Sequence, residues 1–115
     1  MAEAARKRVR EISVADTLEK VEKGANLIDV REDNEFAAGH AKNAVHLGRG
    51  VIERDIVGKF PDKTAELVLY CGGGYRSALA AENLQKMGYQ NVLSMAGAGR
   101  LGPKRTRRRN KFYEF

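Results

Sequence analysis

The sequence predicts an α/β domain of three layers, a small and mostly parallel sheet of about five strands flanked by helices. Two observations carry that expectation. Short apolar runs, such as Leu27-Ile28-Asp29-Val30 and Leu67-Val68-Leu69-Tyr70, alternate along the chain with segments whose apolar residues recur three and four positions apart. The runs are also apolar at consecutive positions, as suits strands covered on both faces.

Taken in order, residues 9–12 supply a short first strand. Ser13 offers a helix N-cap, with Asp16 three positions on as a short capping box. Val14, Leu18 and Val21 have helical spacing, and Gly24 after Lys23 is a stop, so a helix is expected over about 14–23. Residues 25–30 form the next strand. The polar stretch 31–39 holds a short helix at about 33–38, and residues 44–47 form another short strand. Val51, Ile52, Ile56 and Val57 place a helix within 48–59, which Phe60-Pro61-Asp62 breaks. Residues 66–70 are the central strand. Residues 77–87 are a helix with Ala80, Leu84 and Met87 on one face, and its small residues Ala78, Ala80 and Ala81 permit close packing on a sheet. Gly88 ends it, and residues 91–95 are the last strand. In open sheets of this kind ligands bind beyond the carboxyl ends of the strands.

At 115 residues the chain is expected to form one domain with a modest core. The net charge of +6 is unevenly placed. Residues 1–99 balance 14 Lys and Arg against 14 Asp and Glu, whereas residues 100–115 hold 7 basic residues and one Glu. We therefore divide the chain into a neutral domain, 1–99, and a basic tail, 100–115, expected to be disordered and solvated. Contact of that tail with RNA is the competing reading, a weak one because any Arg cluster attracts polyanions. No apolar run approaches the roughly 20 residues that span a bilayer, so no membrane association is expected. The charged N-terminus lacks an export signal's apolar segment, which points to the cytoplasm; a periplasmic protein stripped of its signal would read the same. A single cysteine excludes an internal disulfide framework. With no cluster of His and Cys, no metal is expected.

The chemistry concentrates in Cys71-Gly72-Gly73-Gly74-Tyr75-Arg76-Ser77, where an apolar strand ends in the lone cysteine and a glycine loop leads into a helix. The glycines let the backbone curl and turn its N–H groups inward. The helix adds unpaired N–H groups and the positive end of its dipole. A thiol at the mouth of such a nest is expected to be acidic, and an anion carried on its sulfur would meet a ring of donors. An inert buried thiol is the general alternative for a single cysteine. The glycines lack the spacing and downstream acidic partner of a dinucleotide fingerprint, so no organic cofactor is expected.

Over residues 9–96 the chain resembles the single-domain rhodaneses, a family of sulfurtransferases. The resemblance rests on Leu27-Ile-Asp-Val-Arg31, on Glu35-Phe36 followed by Gly39-His40, on Ala44-Val45-His46-Leu47, on the six-residue loop from Cys71 to Arg76, and on Asn91-Val92 followed by Gly97. It implies a catalytic Cys71 that takes a sulfane sulfur from a small donor such as thiosulfate, holds it as a persulfide and passes it to cyanide, a thiol or a protein acceptor. Arg76 would be the second catalytic residue, holding the loop or attracting an anionic donor, with a surface salt bridge as the competing role. Gly72, Gly73, Gly74, Tyr75 and Ser77 would bind the transferred group through their amides. Asp29, Arg31, Glu35 and His40 would be structural support. Arg31 with Glu35 is the expected ion pair, His40 is a loop anchor in preference to a general base, and His46 is scaffold. A monomer is expected.

Two departures from the family stand out. Residue 72 is Gly where many thiosulfate-using relatives carry a basic residue, which leaves room for a donor such as mercaptopyruvate. The family's closing apolar, Trp-containing helix is replaced by Gly97-Ala-Gly-Arg-Leu-Gly-Pro-Lys-Arg, and the chain has no Trp; an altered reading frame would explain both and would uncover part of the sheet. Three rival functions share features with this sequence. Cysteine phosphatases and arsenate reductases also close a cysteine loop on an arginine, but with five intervening residues, and here there are four. A non-enzymatic or regulatory binding module usually lacks the cysteine. A sulfur carrier for tRNA or cofactor thiolation would give the basic tail a role.

Overall fold

The computed structural model describes residues 9–41, 43–48, 50–72 and 75–96. The tail 100–115, Gly73, Gly74 and Gly97 lie outside the described residues.

The strands are β1 (Glu11–Ile12), β2 (Asn26–Asp29), β3 (Val45–His46), β4 (Glu66–Tyr70) and β5 (Asn91–Met95). The helices are α1 (Val14–Glu22), α2 (Asp33–Ala38), α3 (Ile52–Lys59) and α4 (Tyr75–Lys86). The strands form one parallel sheet in the order β1-β5-β4-β2-β3. The α/β class and the expected five strands are thus observed.

Side-chain alternation along the strands splits the core into two layers. Ile28, Val30, Leu67, Leu69, Cys71 and Val92 pack with Ile52 and Ile56 of α3 and Ala80, Ala81 and Leu84 of α4. Leu27, Val68, Tyr70, Leu93 and Met95 face the other way, toward Val14, Leu18 and Val21 of α1. The alanines of α4 leave room for the helix axis to approach β4 and β5, the strands that frame Cys71.

Local signals explain the helix ends. The Asp16 N–H donates to Ser13 Oγ at 3.0 Å, so Ser13 is the cap the sequence predicts. Gly24 and Gly88 follow α1 and α4 with φ near +105°, a conformation that favours glycine. The start of α4 differs from expectation: the helix begins at Tyr75, two residues before Ser77. Tyr75 and Arg76 have ordinary helix propensity; it is the run of glycines before them that hid the boundary.

Candidate functional site

Cys71 follows the last residue of β4 at the carboxyl edge of the sheet, and α4 opens four residues later. The Ser77 N–H, one of the first-turn amides with no partner inside the helix, donates to Cys71 Sγ at 3.4 Å. The thiol in turn donates to Ser77 Oγ at 3.6 Å. Ser77 Oγ lies 2.7 Å from the Ser94 hydroxyl on β5. Cys71, Ser77 and Ser94 are all buried, so this is a small polar channel inside the layer packed under α4.

The structure corrects the expectation of a thiol at an open mouth. Cys71 is 1% exposed. Its position accounts for that: Leu67, Leu69 and Cys71 share one face of the strand, so the sulfur points into the layer beneath α4. Gly72 brings a second correction. Its φ is not in the left-handed range, and a Cβ added there would meet only Arg76 Nη2, at 3.9 Å. A side chain fits at 72, so glycine is not demanded by the backbone. The first residue of α4, Tyr75, is 44% exposed.

Arg76 interacts with the Cys71 side chain and reaches across to α2, where Nη1 and Nη2 donate to Glu35 Oε1 and Oε2 at 2.6 and 3.2 Å. This two-point pair ties the first turn of α4 to α2. The Arg76 hydrogen bonds, with help from the Glu32 N–H, hold the Glu35 carboxyl down to about 2. The same carboxylate pushes the Arg76 guanidinium further up. The expected Arg31–Glu35 pair is not formed. Glu35 is only four residues from Arg31, but its helix turns it toward α4, and its partner lies 41 residues away in sequence.

Arg31 instead pairs with Asp29. Nε and Nη2 donate to its carboxylate at 2.7–3.1 Å, and the Arg31 N–H adds a bond of 2.8 Å. Arg31 Nη2 also donates to the Gly39 carbonyl at 2.6 Å. Asp29 is fully buried and accepts a further bond of 2.7 Å from the Tyr70 hydroxyl, which itself accepts from the Ala41 N–H. Burial, then the neighbouring Asp29 charge, pushes the Tyr70 phenol well above its ordinary range. Asp29 and Arg31 pair with one another, and Arg31 extends the pair to the Gly39 carbonyl.

Both histidines are engaged. His40 Nδ1 donates to the Phe36 carbonyl at 2.9 Å, and its ring stacks on Phe36 with centroids 3.7 Å apart. His46 Nε2 donates to the Arg31 carbonyl at 2.8 Å and stacks on the same phenyl ring. His40 is thus an anchor for the loop after α2. Among the described residues no three His, Cys, Asp or Glu side chains come together as a metal site. A cleft of about 300 Å³ lined by Arg10, Lys20 and Glu66 lies away from Cys71.

Sequence reasoning missed Ser94 and the Arg76–Glu35 pair. The signal for Ser94 was a polar residue at an inward position of an otherwise apolar strand, between Leu93 and Met95.

Comparison with known proteins fits this geometry. The model of the rhodanese-like domain matches residues 13–98. The chain belongs to the rhodanese family. It is 38% identical to the putative sulfurtransferase YtwF of Bacillus subtilis over 86 residues, 73% of this chain and 82% of that protein. It is 32% identical to the thiosulfate sulfurtransferase GlpE of Haemophilus influenzae over 89 residues, 76% of this chain and 82% of that one. Among solved structures it is similar to the polysulfide-sulfur transferase homodimer of Wolinella succinogenes, at 26% identity and a TM-score of 0.71, covering 82% of this chain and 72% of that chain. These relatives support sulfur transfer, from a donor to an acceptor, as the general chemistry of this rhodanese-like chain. Among the described residues no helix is long and apolar enough to cross a membrane.

Proposed function

We propose that this rhodanese-family chain is a sulfurtransferase that carries a sulfane sulfur on Cys71. The single observation behind the reading is the Ser77 N–H, at the positive end of α4, aimed at Cys71 Sγ from 3.4 Å. The Cys71 thiolate attacks the outer sulfur of thiosulfate; a new S–S bond forms, the old one breaks, and sulfite leaves with the electron pair. Cyanide or a thiolate then attacks the outer sulfur of the anionic persulfide, leaving as thiocyanate or a new persulfide and returning Cys71 to thiolate. No net oxidant or reductant enters, and each half-reaction is a displacement at sulfur. First-turn amides of α4 stabilise the anionic forms. Arg76, locked by Glu35, fixes the first turn of α4 against α2, and Asp29, Arg31 and His40 hold the neighbouring loops. The amides of Gly72, Gly73 and Gly74, with Tyr75, are proposed to complete the same cradle.

Intact-mass spectrometry after incubation with thiosulfate tests this. The expected result is a gain of one sulfur, about 32 Da, lost on adding cyanide with release of thiocyanate, and absent in Cys71→Ser. A wild-type chain whose mass does not change with thiosulfate, mercaptopyruvate or polysulfide would overturn it.

A further inference from the structure

Ser94 lies on β5, outside the loop that carries the chemistry, yet its hydroxyl is fully buried and meets Ser77 Oγ at 2.7 Å. That is the usual length of a strong O–H···O bond. It belongs to the strand layer of Val92 rather than that of Leu93 and Met95. Along that layer Ser94 is the register partner of Leu69 on β4, two residues before Cys71. A hydroxyl in such an apolar layer is costly unless bonded.

The direction of the bonds matters. A hydroxyl has one proton to give and two lone pairs. When Cys71 is a thiol, its S–H points at Ser77 Oγ, and the Ser77 hydroxyl can direct its proton at Ser94. When Cys71 becomes an anion, its proton leaves to water, and the sulfur can only accept. The Ser77 hydroxyl then turns its proton to the sulfur, and the Ser94 hydroxyl turns its own to Ser77 Oγ. Neither oxygen gains or loses a proton; two hydrogen bonds reverse. Donation into Ser77 Oγ polarises its O–H and strengthens its bond to the sulfur.

We propose that Ser94 is a positioning residue for the sulfur anion, acting through Ser77 as the second member of a reversible hydroxyl relay. The proposal rests on the reading of Cys71 as the sulfur-carrying residue and adds to it a group on a different strand.

The test is a cycle of Ser94→Ala, Ser77→Ala and the double variant, with Ser94→Thr as the conservative replacement. Because the sulfur is buried, the readout is the pH midpoint of Cys71 alkylation by iodoacetamide, followed by intact mass, rather than the absolute rate. Ser94→Ala should raise that midpoint by about 0.5–1 pH unit, equivalent to three- to tenfold less thiolate at a fixed pH below it. Ser94→Thr should restore it, and Ser94→Ala should add nothing in the Ser77→Ala background. If Ser94→Ala is recovered insoluble, Ser94→Gly carries the same comparison. An unchanged midpoint, or an equal shift with and without the Ser77 hydroxyl, overturns the relay, even if the melting temperature falls. The thiosulfate mass test on the wild-type chain is run alongside. A wild type that gains sulfur while Ser94→Ala keeps its midpoint sinks the relay alone; a wild type that gains none sinks the reading of Cys71, whatever the midpoint does.

Discussion

Tyr70 and Cys71 are neighbours in the chain, yet their side chains enter two different polar clusters on opposite faces of the sheet. On one face Tyr70 joins Asp29 and Arg31, a buried ion pair with its hydrogen bonds filled. On the other, Cys71 joins the neutral hydroxyls of Ser77 and Ser94, with the Arg76 guanidinium, itself paired to Glu35, also interacting with the sulfur. The first cluster is fixed in its donors, because the Tyr70 hydroxyl, the Arg31 N–H and the Arg31 guanidinium all donate to the Asp29 carboxyl group. The second can reverse its donors when charge arrives on sulfur. The difference teaches which buried polar groups hold a fold and which leave room for chemistry. Charge already compensated is scaffold; neutral hydroxyls beside a thiol can respond to a new anion.

The comparison breaks most visibly at Asp29. Asp29→Asn leaves the Arg31 guanidinium, only 13% exposed, facing a neutral amide. Breaking one side of a buried pair costs about 3–5 kcal/mol, a large share of the roughly 5–15 kcal/mol that holds a domain together. Urea denaturation should show the midpoint collapse. Cys71→Ser, one residue from Tyr70, should stay within about 1 kcal/mol of wild type while losing all sulfur uptake. If the two substitutions cost the same stability, the division between scaffold and reactive cluster is wrong.

The link between the clusters is next in size. Arg76 and Glu35 tie α4 to α2, and Glu35 titrates at about 2 instead of the ordinary 4.5. A carboxyl lowered in the folded state contributes stability above pH 4.5 that is lost as pH falls through about 2. Its side chain is 35% exposed, so solvent screening reduces the contribution to about 1 kcal/mol. Glu35→Gln should lose that amount at neutral pH and flatten the acid limb of a stability profile between pH 4.5 and 2. An acid limb identical to wild type would mean that the pair contributes nothing in solution.

The strands were legible in the sequence because parallel strands buried on both faces leave uninterrupted apolar runs. Cys71 stood out because it ends such a run and precedes glycines. Pairings were harder to read. Glu35 looked closest to Arg31 along the chain, but α2 turns it to a guanidinium 41 residues on. α4 starts two residues before the expected Ser77, at Tyr75, because Gly72-Gly73-Gly74 obscures local propensity. Ser94 gives little signal along the chain, since one hydroxyl in an apolar strand fits the strand pattern; only the packing of α4 on β5 brings it to Ser77. The burial of Cys71 was missed for a related reason. The side to which a strand-tip residue points depends on the layer its strand has already joined.

Gly72 gives the smallest effect on stability and the sharpest one on donor choice. An added Cβ meets nothing closer than 3.9 Å and the backbone is not left-handed, so Gly72→Arg should shift stability by no more than about 0.5 kcal/mol. The charge of Arg76 is engaged by Glu35. A guanidinium at 72 would add a cation beside the sulfur with no carboxylate assigned to it. A dianion such as thiosulfate gains twice the Coulomb energy that a monoanion such as mercaptopyruvate does, on the order of 1 kcal/mol more at a partly exposed site. Gly72→Arg should therefore lower KM for thiosulfate by about three- to tenfold relative to mercaptopyruvate, with the gain shrinking as salt is raised. Equal changes for both donors, or none, would place donor selection elsewhere than at residue 72 and leave the glycine there without an electrostatic consequence.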